Sequence, residues 1–192
     1  MIPKLVILES EKANARYLYN NGVLHSVFPA ETLFGFTVWS HMVPPFKPEQ
    51  TLILGYGGGT VAELMRKVWG PCKITGVDTE RSEDRYVEYR MKIMDAKAFV
   101  WESTADGFFK NKLINTNPKY DYICIDLWNG DKVAEFIYDV EFVVRIKEMA
   151  TKLVCINVLT KEVPRLRPYY DYGFNFCRTV PIEANSVIWW SV

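Results

Sequence analysis

The stretch that most constrains this chain is Thr51–Glu63, where a short apolar run meets a cluster of glycines. Leu52–Leu54 has the character of a buried strand, Gly55–Gly59 follows it, and a helix-forming segment begins at Thr60. Glycine lets the backbone take positive φ and lie against a ligand where a Cβ would collide. The first turn of the next helix directs unpaired N–H groups into the same space. The stretch predicts a strand–turn–helix unit at a ligand site, with plain packing as the alternative.

Composition indicates a folded protein with no general affinity for polyanions. The 192 residues suit one domain with a small appendage, and 15% of them are aromatic. Lys plus Arg equals Asp plus Glu, at 23 each, so no nucleic-acid partner is expected. No apolar run approaches the roughly 20 residues of a membrane-spanning helix, so no membrane partner is expected either.

The cysteines indicate a reducing compartment. The four of them, Cys72, Cys124, Cys155 and Cys177, are scattered without a CxxC pair, and the chain has two histidines. A zinc site is therefore not expected, and free thiols are the default. Because the N-terminus also lacks the pattern of a secretory signal, we expect a cytoplasmic protein with no bound metal.

Apolar periodicity alternates between strand and helix from Thr51 onward. Strands are predicted near 51–54, 73–77, 98–102, 121–126 and 152–158, and helices near 60–68, 81–94, 104–113 and 131–149. Two further strands, 174–180 and 186–192, read as an antiparallel hairpin at one sheet edge. The pattern predicts an α/β protein with a doubly wound, mostly parallel, seven-stranded sheet, whose ligands bind at the carboxyl ends of the strands.

The region before the glycine turn has a different character. Residues 2–8 and the segments on either side of Asn21–Gly22 predict a small β-hairpin region, because both turn residues tolerate positive φ. A helix is predicted over Glu31–Met42. The proline-rich segment 44–48 is the best boundary, which gives an N-terminal region at 1–45 and a ligand-binding domain at 46–192.

Acids follow two of the predicted strands at positions suited to a nucleoside. Asp78, with Thr79 and Glu80, ends the second strand, where a doubly wound site carries an acid for ribose hydroxyls. Glu102 and Asp106 follow the third strand and compete for the adenine amino group. Capping of the next helix is the alternative for these acids.

The fourth predicted strand, near 121–126, ends its apolar run at Asp126. This position is too early for a helix cap, so the carboxylate is expected to face the pocket and to take a proton from an amine or bind a cationic centre. Trp128 is expected to line the pocket or to contact a cation through its ring face, with plain packing as the alternative.

Together, the glycine turn, the acids after successive strands and the YDxIxxD pattern at 120–126 resemble the class I S-adenosylmethionine-dependent methyltransferase fold, which is Rossmann-like. Within it the chain most resembles the spermidine synthase-like (aminopropyltransferase) group, which also has an N-terminal β-region and a terminal strand pair. The resemblance covers nearly the whole chain, although the N-terminal part is shorter than that of the group.

The resemblance implies a role for each candidate residue. Gly55, Gly57 and Gly59 would approach the methionine-like portion of S-adenosylmethionine or its decarboxylated form, and Asp126 would help to deprotonate the attacking amine. The remaining residues that we assign to the site are Tyr56 and Gly58 in the turn, Asp78, Thr79 and Glu80 at the ribose, Glu102, Asp106 and Gly107 at the adenine, Asp126 also beside the cofactor, and Trp128 and Asn129 at the substrate.

Departures from the group favour a smaller acceptor. Gly58 stands where the group has an acid in its glycine loop, and Asn129 stands where it has a second acid after the fourth strand. The segment 31–37 lacks most of the acids and histidines found there. A polyamine needs several carboxylates to replace its hydration. The loss of these acids therefore argues against a polyamine as the substrate.

Three functions therefore follow as expectations. The first is methyl transfer from S-adenosylmethionine to an unidentified small molecule, which needs few catalytic side chains because the sulfonium carries the activation. The alternative is aminopropyl transfer from decarboxylated S-adenosylmethionine, with Asp126 as the base. The third is a non-catalytic nucleoside-binding or scaffold protein of the same fold. A homodimer is left open.

Overall fold

The computed structural model describes residues 5–11, 15–20, 22–28, 37–79, 98–110 and 118–192. The strands are β1 (Leu5–Ser10), β2 (Ala15–Asn20), β3 (Val23–Phe28), β4 (Gln50–Leu54), β5 (Lys73–Asp78), β6 (Ala98–Glu102), β7 (Tyr120–Ile125), β8 (Trp128–Asn129), β9 (Lys132–Val133), β10 (Ala150–Leu159), β11 (Asn175–Ile182) and β12 (Asn185–Ser191). The described α-helices are α1 (Thr60–Trp69), α2 (Ala105–Lys110), α3 (Val140–Met149) and α4 (Arg167–Asp171). Three 3-10 helices cover Val38–Met42, Glu135–Tyr138 and Thr160–Leu166.

The main sheet has seven strands in the order β11-β12-β10-β7-β4-β5-β6. The pairs from β10 through β6 are parallel, and β12 runs antiparallel to both β10 and β11. The predicted mostly parallel, seven-stranded α/β sheet with a terminal hairpin is confirmed. The chain leaves β4 toward β5 and β6 and then returns to β7 on the other side of β4, so the switch point lies between β4 and β7.

The central strands of this sheet are buried on both faces, to which adjacent residues of a strand point in turn. Every residue of β7 is buried, with Ile123 and Ile125 in one apolar cluster and Tyr122 and Cys124 in the other. The polar exception is Asp121, whose carboxylate accepts the backbone N–H groups of the segment that enters β4. The continuous apolar strands of the sequence are therefore explained by layers on both sides.

The predicted helix over 131–149 is wrong in its first half. Only Val140–Met149 is α-helical, and the chain before it forms the two-stranded β8–β9 ladder, in which Trp128 pairs with Val133. Gly130 has φ +64° in the connecting turn, and a 3-10 turn follows. Val140, an apolar residue in the middle of the predicted helix, is 47% exposed. The apolar residues of this segment therefore belong to a loop that folds back on itself and then to a short helix, rather than to one long helix.

The C-terminal hairpin is confirmed with a shorter turn than predicted. β11 extends to Ile182 and β12 begins at Asn185, so the turn contains only Glu183 and Ala184. Pro181 is tolerated within β11 because that strand is the sheet edge. The hairpin closes the β10 side of the sheet.

The N-terminal strands form a separate antiparallel sheet, β1-β2-β3, which confirms the predicted β-hairpin region. Gly22 has φ +80° in the turn between β2 and β3. β3 contacts the start of α1, where the Ser26 and Thr60 hydroxyls are 2.6 Å apart and the Val27 N–H donates to Thr60 Oγ1 at 3.1 Å. The division into two domains near residue 45 stays a prediction.

Three predicted helices fall partly or wholly outside the described residues. Of the helix predicted over Glu31–Met42, only Val38–Met42 lies within them, and it is a 3-10 helix. The helix predicted near 81–94 lies outside them, as does the end of the helix predicted near 104–113. Within the described ranges, the helices are too short or too polar to cross a membrane.

Candidate functional site

An open cavity of about 1090 Å³ lies at the carboxyl ends of β4, β5 and β7. This is the switch point of the sheet, where doubly wound proteins bind ligands. The ends of the main-sheet strands form its floor, residues of β3 and of the 3-10 helix Val38–Met42 form one wall, and the 128–139 segment forms another. The site is therefore built jointly by the main sheet and the N-terminal region.

The glycine turn is held against the neighbouring strands. The backbone N–H groups of Gly55 and Tyr56 donate to the Val77 carbonyl at 2.9 and 3.1 Å. Gly55 has φ +81°, and a Cβ added there would lie 2.1 Å from the backbone oxygen of Asp126. The Asp126 N–H in turn donates to the Leu54 carbonyl at 2.8 Å. Glycine at position 55 is what allows the ends of β4 and β7 to close together.

Only the first half of the turn faces the cavity. Gly55 and Gly57 line it, whereas Tyr56 is buried with its ring against Gly76, where a Cβ would come within 2.4 Å. Gly58 and Gly59 are buried behind the turn. The start of α1 is covered by β3. Of the turn residues predicted to contact the cofactor, Gly55 and Gly57 therefore lie at the cavity surface. Tyr56, Gly58 and Gly59 do not line it.

Asp78 lies at the end of β5 and lines the cavity with Thr79. Its Oδ2 accepts the backbone N–H of Gly57 at 2.5 Å. This bond joins the acid after the second strand to the exposed half of the glycine turn. The structure thus brings the predicted ribose acid and the predicted methionine-contacting turn into one surface. The predicted neighbour Glu80 lies outside the described residues.

The predicted adenine residues lie away from the cavity. Glu102 is exposed, and Asp106 is exposed on α2, where it pairs with Lys110 at 2.8 Å. Ser103, Thr104 and Ala105 line the cavity instead. The Gly107 N–H donates to Thr104 Oγ1 at 2.9 Å, as expected for a threonine that caps a helix. That capping pattern was readable in the sequence and would have pointed to Thr104.

Asp126 lies at the floor of the cavity and accepts three N–H groups. Trp128 Nε1 and Asn157 Nδ2 both donate to Oδ1 at 2.8 Å, and Trp39 Nε1 donates to Oδ2 at 3.2 Å. All three donors are uncharged. Trp128 lines the cavity, which was one of the expected alternatives, and it meets the carboxylate through its N–H edge rather than a cation through its ring face.

The surroundings of Asp126 make it a stronger base than an exposed aspartate. Burial raises the pKa of Asp126, and the bonds from Asn157, Trp128 and Trp39 lower it only in part. His25 on β3 adds a smaller lowering effect on the pKa of Asp126. The net direction is upward, because desolvation penalises the charged form more than neutral donors stabilise it.

The 128–139 segment adds acids to the cavity wall. Asp131, Glu135 and Asp139 line the cavity along with Asn129, which the sequence had assigned to the substrate. With Asp78 and Asp126, the described lining contains five carboxylates, against Lys132 and His25. Glu135 is also paired with Arg165 from the 3-10 helix Thr160–Leu166. The described wall is predominantly acidic and suits a cationic ligand.

Sequence reasoning missed three residues that contact or face Asp126. His25 and Trp39 come from the N-terminal region, more than 80 residues before Asp126, and no local pattern marks them. Asn157 had a signal, since it is a polar residue within the apolar run of β10, and it is 3% exposed. A buried amide in such a run needs a polar partner, which here is Asp126.

Comparison with known proteins gives one weak sequence relative and many structural ones. No protein-family model matches the chain. A polyamine aminopropyltransferase of Vibrio vulnificus (strain CMCP6) is 26% identical over 144 residues. That match covers 70% of this chain and 44% of the relative, so the chain spans less than half of the relative's length.

Solved structures agree on the fold. A probable spermidine synthase from Corynebacterium glutamicum has a TM-score of 0.74 at 14% identity, covering 97% of this chain and 76% of that one. A proposed S-adenosylmethionine-dependent methyltransferase from Streptococcus mutans has a TM-score of 0.64 at 12% identity, covering 100% of this chain and 56% of that one. The chain has the Rossmann-like fold of S-adenosylmethionine-dependent methyltransferases, with spermidine synthase-like neighbours.

Proposed function

We propose that the cavity binds a sulfonium nucleoside, either S-adenosylmethionine or its decarboxylated form, and that the protein transfers an alkyl group from it to an amine. The observation that carries this proposal is Asp126, a carboxylate of raised pKa at the cavity floor whose three described donors are all neutral. None of the described residues that donate a hydrogen bond to Asp126 carries a positive charge. A protonated amine acceptor would bring a positive charge to this carboxylate.

The residues present fit such a donor. Gly55 and Gly57 bring bare backbone to the cavity, and a Cβ on Gly57 would lie 3.3 Å from the His25 carbonyl oxygen. Asp78 lies beside Gly57, and its carboxylate is the group that we propose for the ribose hydroxyls. The sulfonium supplies the electrophilic carbon and a neutral thioether leaving group. The protein's part is to align the two reactants and to take one proton at Asp126.

Two groups, methyl and aminopropyl, are candidates for the group that is transferred. Methyl transfer to a small acceptor is the expectation from the sequence, because the chain lacks three acids found in the spermidine synthase-like group. It requires only alignment of the amine with the donor and removal of its proton by Asp126.

Aminopropyl transfer is the second candidate, and the acidic wall supports it. Asp131, Glu135 and Asp139 supply carboxylates to the cavity wall, which offsets the acids that the sequence pattern had counted as lost. A donor that keeps its methionine carboxylate would meet several like charges in this cavity, whereas the decarboxylated donor presents only a cationic tail. The weak similarity to a polyamine aminopropyltransferase supports the same candidate.

Product analysis tests the proposal directly. We expect the purified protein, given an amine such as putrescine and each donor in turn, to form an alkylated amine detectable by mass spectrometry. A methylated product from S-adenosylmethionine supports the first candidate, and an aminopropylated product from the decarboxylated donor supports the second. Absence of both products over a panel of primary and secondary amines would refute the proposed transfer.

Asp78 is proposed to bind the ribose, which predicts a loss of nucleoside affinity when it is replaced. Asp78→Ala is expected to weaken binding of methylthioadenosine by about 1–3 kcal/mol, because a buried hydrogen bond is lost. Glu102→Ala is the matched control, since Glu102 ends the neighbouring strand β6 but is exposed, and it should change affinity by less than about 0.5 kcal/mol. Calorimetry measures both, and equal affinities would refute the ribose assignment.

The proposed compartment is the cytoplasm. Cys72, Cys124, Cys155 and Cys177 are free thiols. Free cysteines of which two are fully buried suit a reducing environment, where disulfides do not persist.

A further inference from the structure

We propose that Trp39 is a positioning residue that, with Trp128 and Asn157, leaves Asp126 one free acceptor site, on Oδ2, and so fixes which oxygen takes the proton of the amine. This inference rests on the proposed function. It concerns a residue of the N-terminal region that lies 87 positions before Asp126 and reaches it through one side-chain bond.

The count of acceptor sites carries the argument. An ionised carboxylate has about four lone-pair sites, two on each oxygen. Oδ1 accepts from Trp128 and Asn157, both at 2.8 Å, and is filled. Oδ2 accepts from Trp39 at 3.2 Å, so one site on Oδ2 remains among the contacts that the described residues make. The remaining site lies on the oxygen that Trp39 holds.

The environment restricts that site further. Trp39 is 9% exposed and lines the cavity beside Val38 and Leu24, which are apolar. The Trp39 indole N–H occupies one lone pair of Oδ2 and excludes water from that lone pair, so the other lone pair is the one that remains. Asn157 and Trp128 hold the plane of the carboxylate by bonding Oδ1 from β10 and from β8. An amine that reaches Asp126 must therefore donate along one direction, adjacent to the Trp39 ring.

The proton transfer follows from this geometry. The N–H bond of the protonated acceptor breaks, and its proton forms an O–H bond at Oδ2. The nitrogen lone pair that this releases attacks the carbon next to the sulfonium. The C–S bond breaks, and its electron pair goes to sulfur. Fixing one lone pair of Oδ2 fixes the position of the nitrogen, which is the alignment that the reaction requires.

Nuclear magnetic resonance of the indole groups tests the assignment without relying on turnover. The protein is labelled with 15N at its six tryptophans, and the Trp39 and Trp128 signals are identified by their loss in Trp39→Phe and Trp128→Phe. Putrescine and its fully N-methylated quaternary analogue, which has no N–H, are then added. We expect putrescine to move the Trp39 Nε1–H signal at least about twice as far as that of Trp128, and the quaternary analogue to lose this difference. Equal movement, or larger movement of Trp128, would overturn the proposal.

A kinetic test uses a tryptophan isostere without an N–H. 3-Benzothienylalanine, in which sulfur replaces the indole nitrogen, is introduced at position 39 or at position 128, so that each protein keeps the ring and loses one bond to Asp126. At a pH on the plateau of each profile, we expect kcat for the amine to fall at least about tenfold more for the substitution at 39 than at 128. KM for the donor should be the same in both.

The two failures are distinguishable. If the wild-type protein transfers no group to any amine, the proposed function fails. If it transfers a group but the two isosteres lower kcat equally, the role assigned to Trp39 fails while the proposed function stands. Thermal unfolding of both isosteres, expected to match, shows that a difference in kcat does not come from lost stability.

Discussion

Asp126→Asn is expected to lower the rate of transfer by about 10²–10⁴-fold, the range by which a positioned general base accelerates a reaction. The amide cannot take a proton from the acceptor. Its NH₂ group would also face some of the three N–H groups that now converge on the carboxylate. The loss should appear in kcat with the best donor and acceptor pair, while methylthioadenosine still binds.

Asp131→Asn is the matched control for this substitution. Asp131 lines the same cavity but is exposed, and it is not among the hydrogen-bond partners of Asp126. We expect it to raise KM for a cationic amine modestly and to leave kcat within about threefold, because an exposed charge contributes little. Retention of wild-type kcat by Asp126→Asn, or an equal loss in the two variants, would contradict the role of Asp126 as the base.

Gly55→Ala is expected to destabilise the protein by about 3 kcal/mol or more, which combines backbone strain with overpacking. The residue has φ +81°, and the new Cβ would lie 2.1 Å from the Asp126 backbone oxygen. Because the contact is with main chain rather than with a flexible side chain, β4 or β7 has to move. Urea unfolding followed by circular dichroism gives the change in unfolding free energy.

Gly173→Ala separates the two causes. Gly173 has φ +79°, nearly the value of Gly55, but the nearest atom to its added Cβ is Lys147 Nζ at 3.9 Å. It should therefore cost only the conformational term, about 1–2 kcal/mol. If the two alanine variants lose the same stability, the close approach of Gly55 to Asp126 is not what requires glycine there.

The parts of the fold that depend on local pattern were predictable. The apolar runs of β4, β5 and β7, and the glycines after the first of them, are enough to place Asp78 and Asp126 at the carboxyl edge of the sheet. The wrong helix over 131–149 shows where pattern fails. Its apolar spacing is helical, but the Ala134 N–H donates to the Leu127 carbonyl, and the indole N–H of Trp128 donates to Asp126, so the chain folds back.

Only part of the site was predictable, because local sequence pattern places the ends of strands but not the contacts between distant segments. Gly55, Gly57, Asp78, Thr79 and Asp126 reach the cavity through the regular geometry of parallel strands. Trp39 and His25 reach it through docking of the N-terminal region, which depends on contacts such as Ser26 with Thr60 that no local spacing encodes. The acids of the 128–139 segment were missed because a helix was predicted there instead of a loop along the cavity wall.

We propose above that this cavity holds the adenosyl part of a sulfonium nucleoside. Calorimetric titration of the wild-type protein with S-adenosylmethionine, its decarboxylated form and methylthioadenosine tests it most directly, because all three share that part. We expect saturable binding at one site per chain for methylthioadenosine and for at least one of the two donors, and Asp78→Ala should weaken the binding of each by about 1–3 kcal/mol. Absence of binding by all three nucleosides would contradict it.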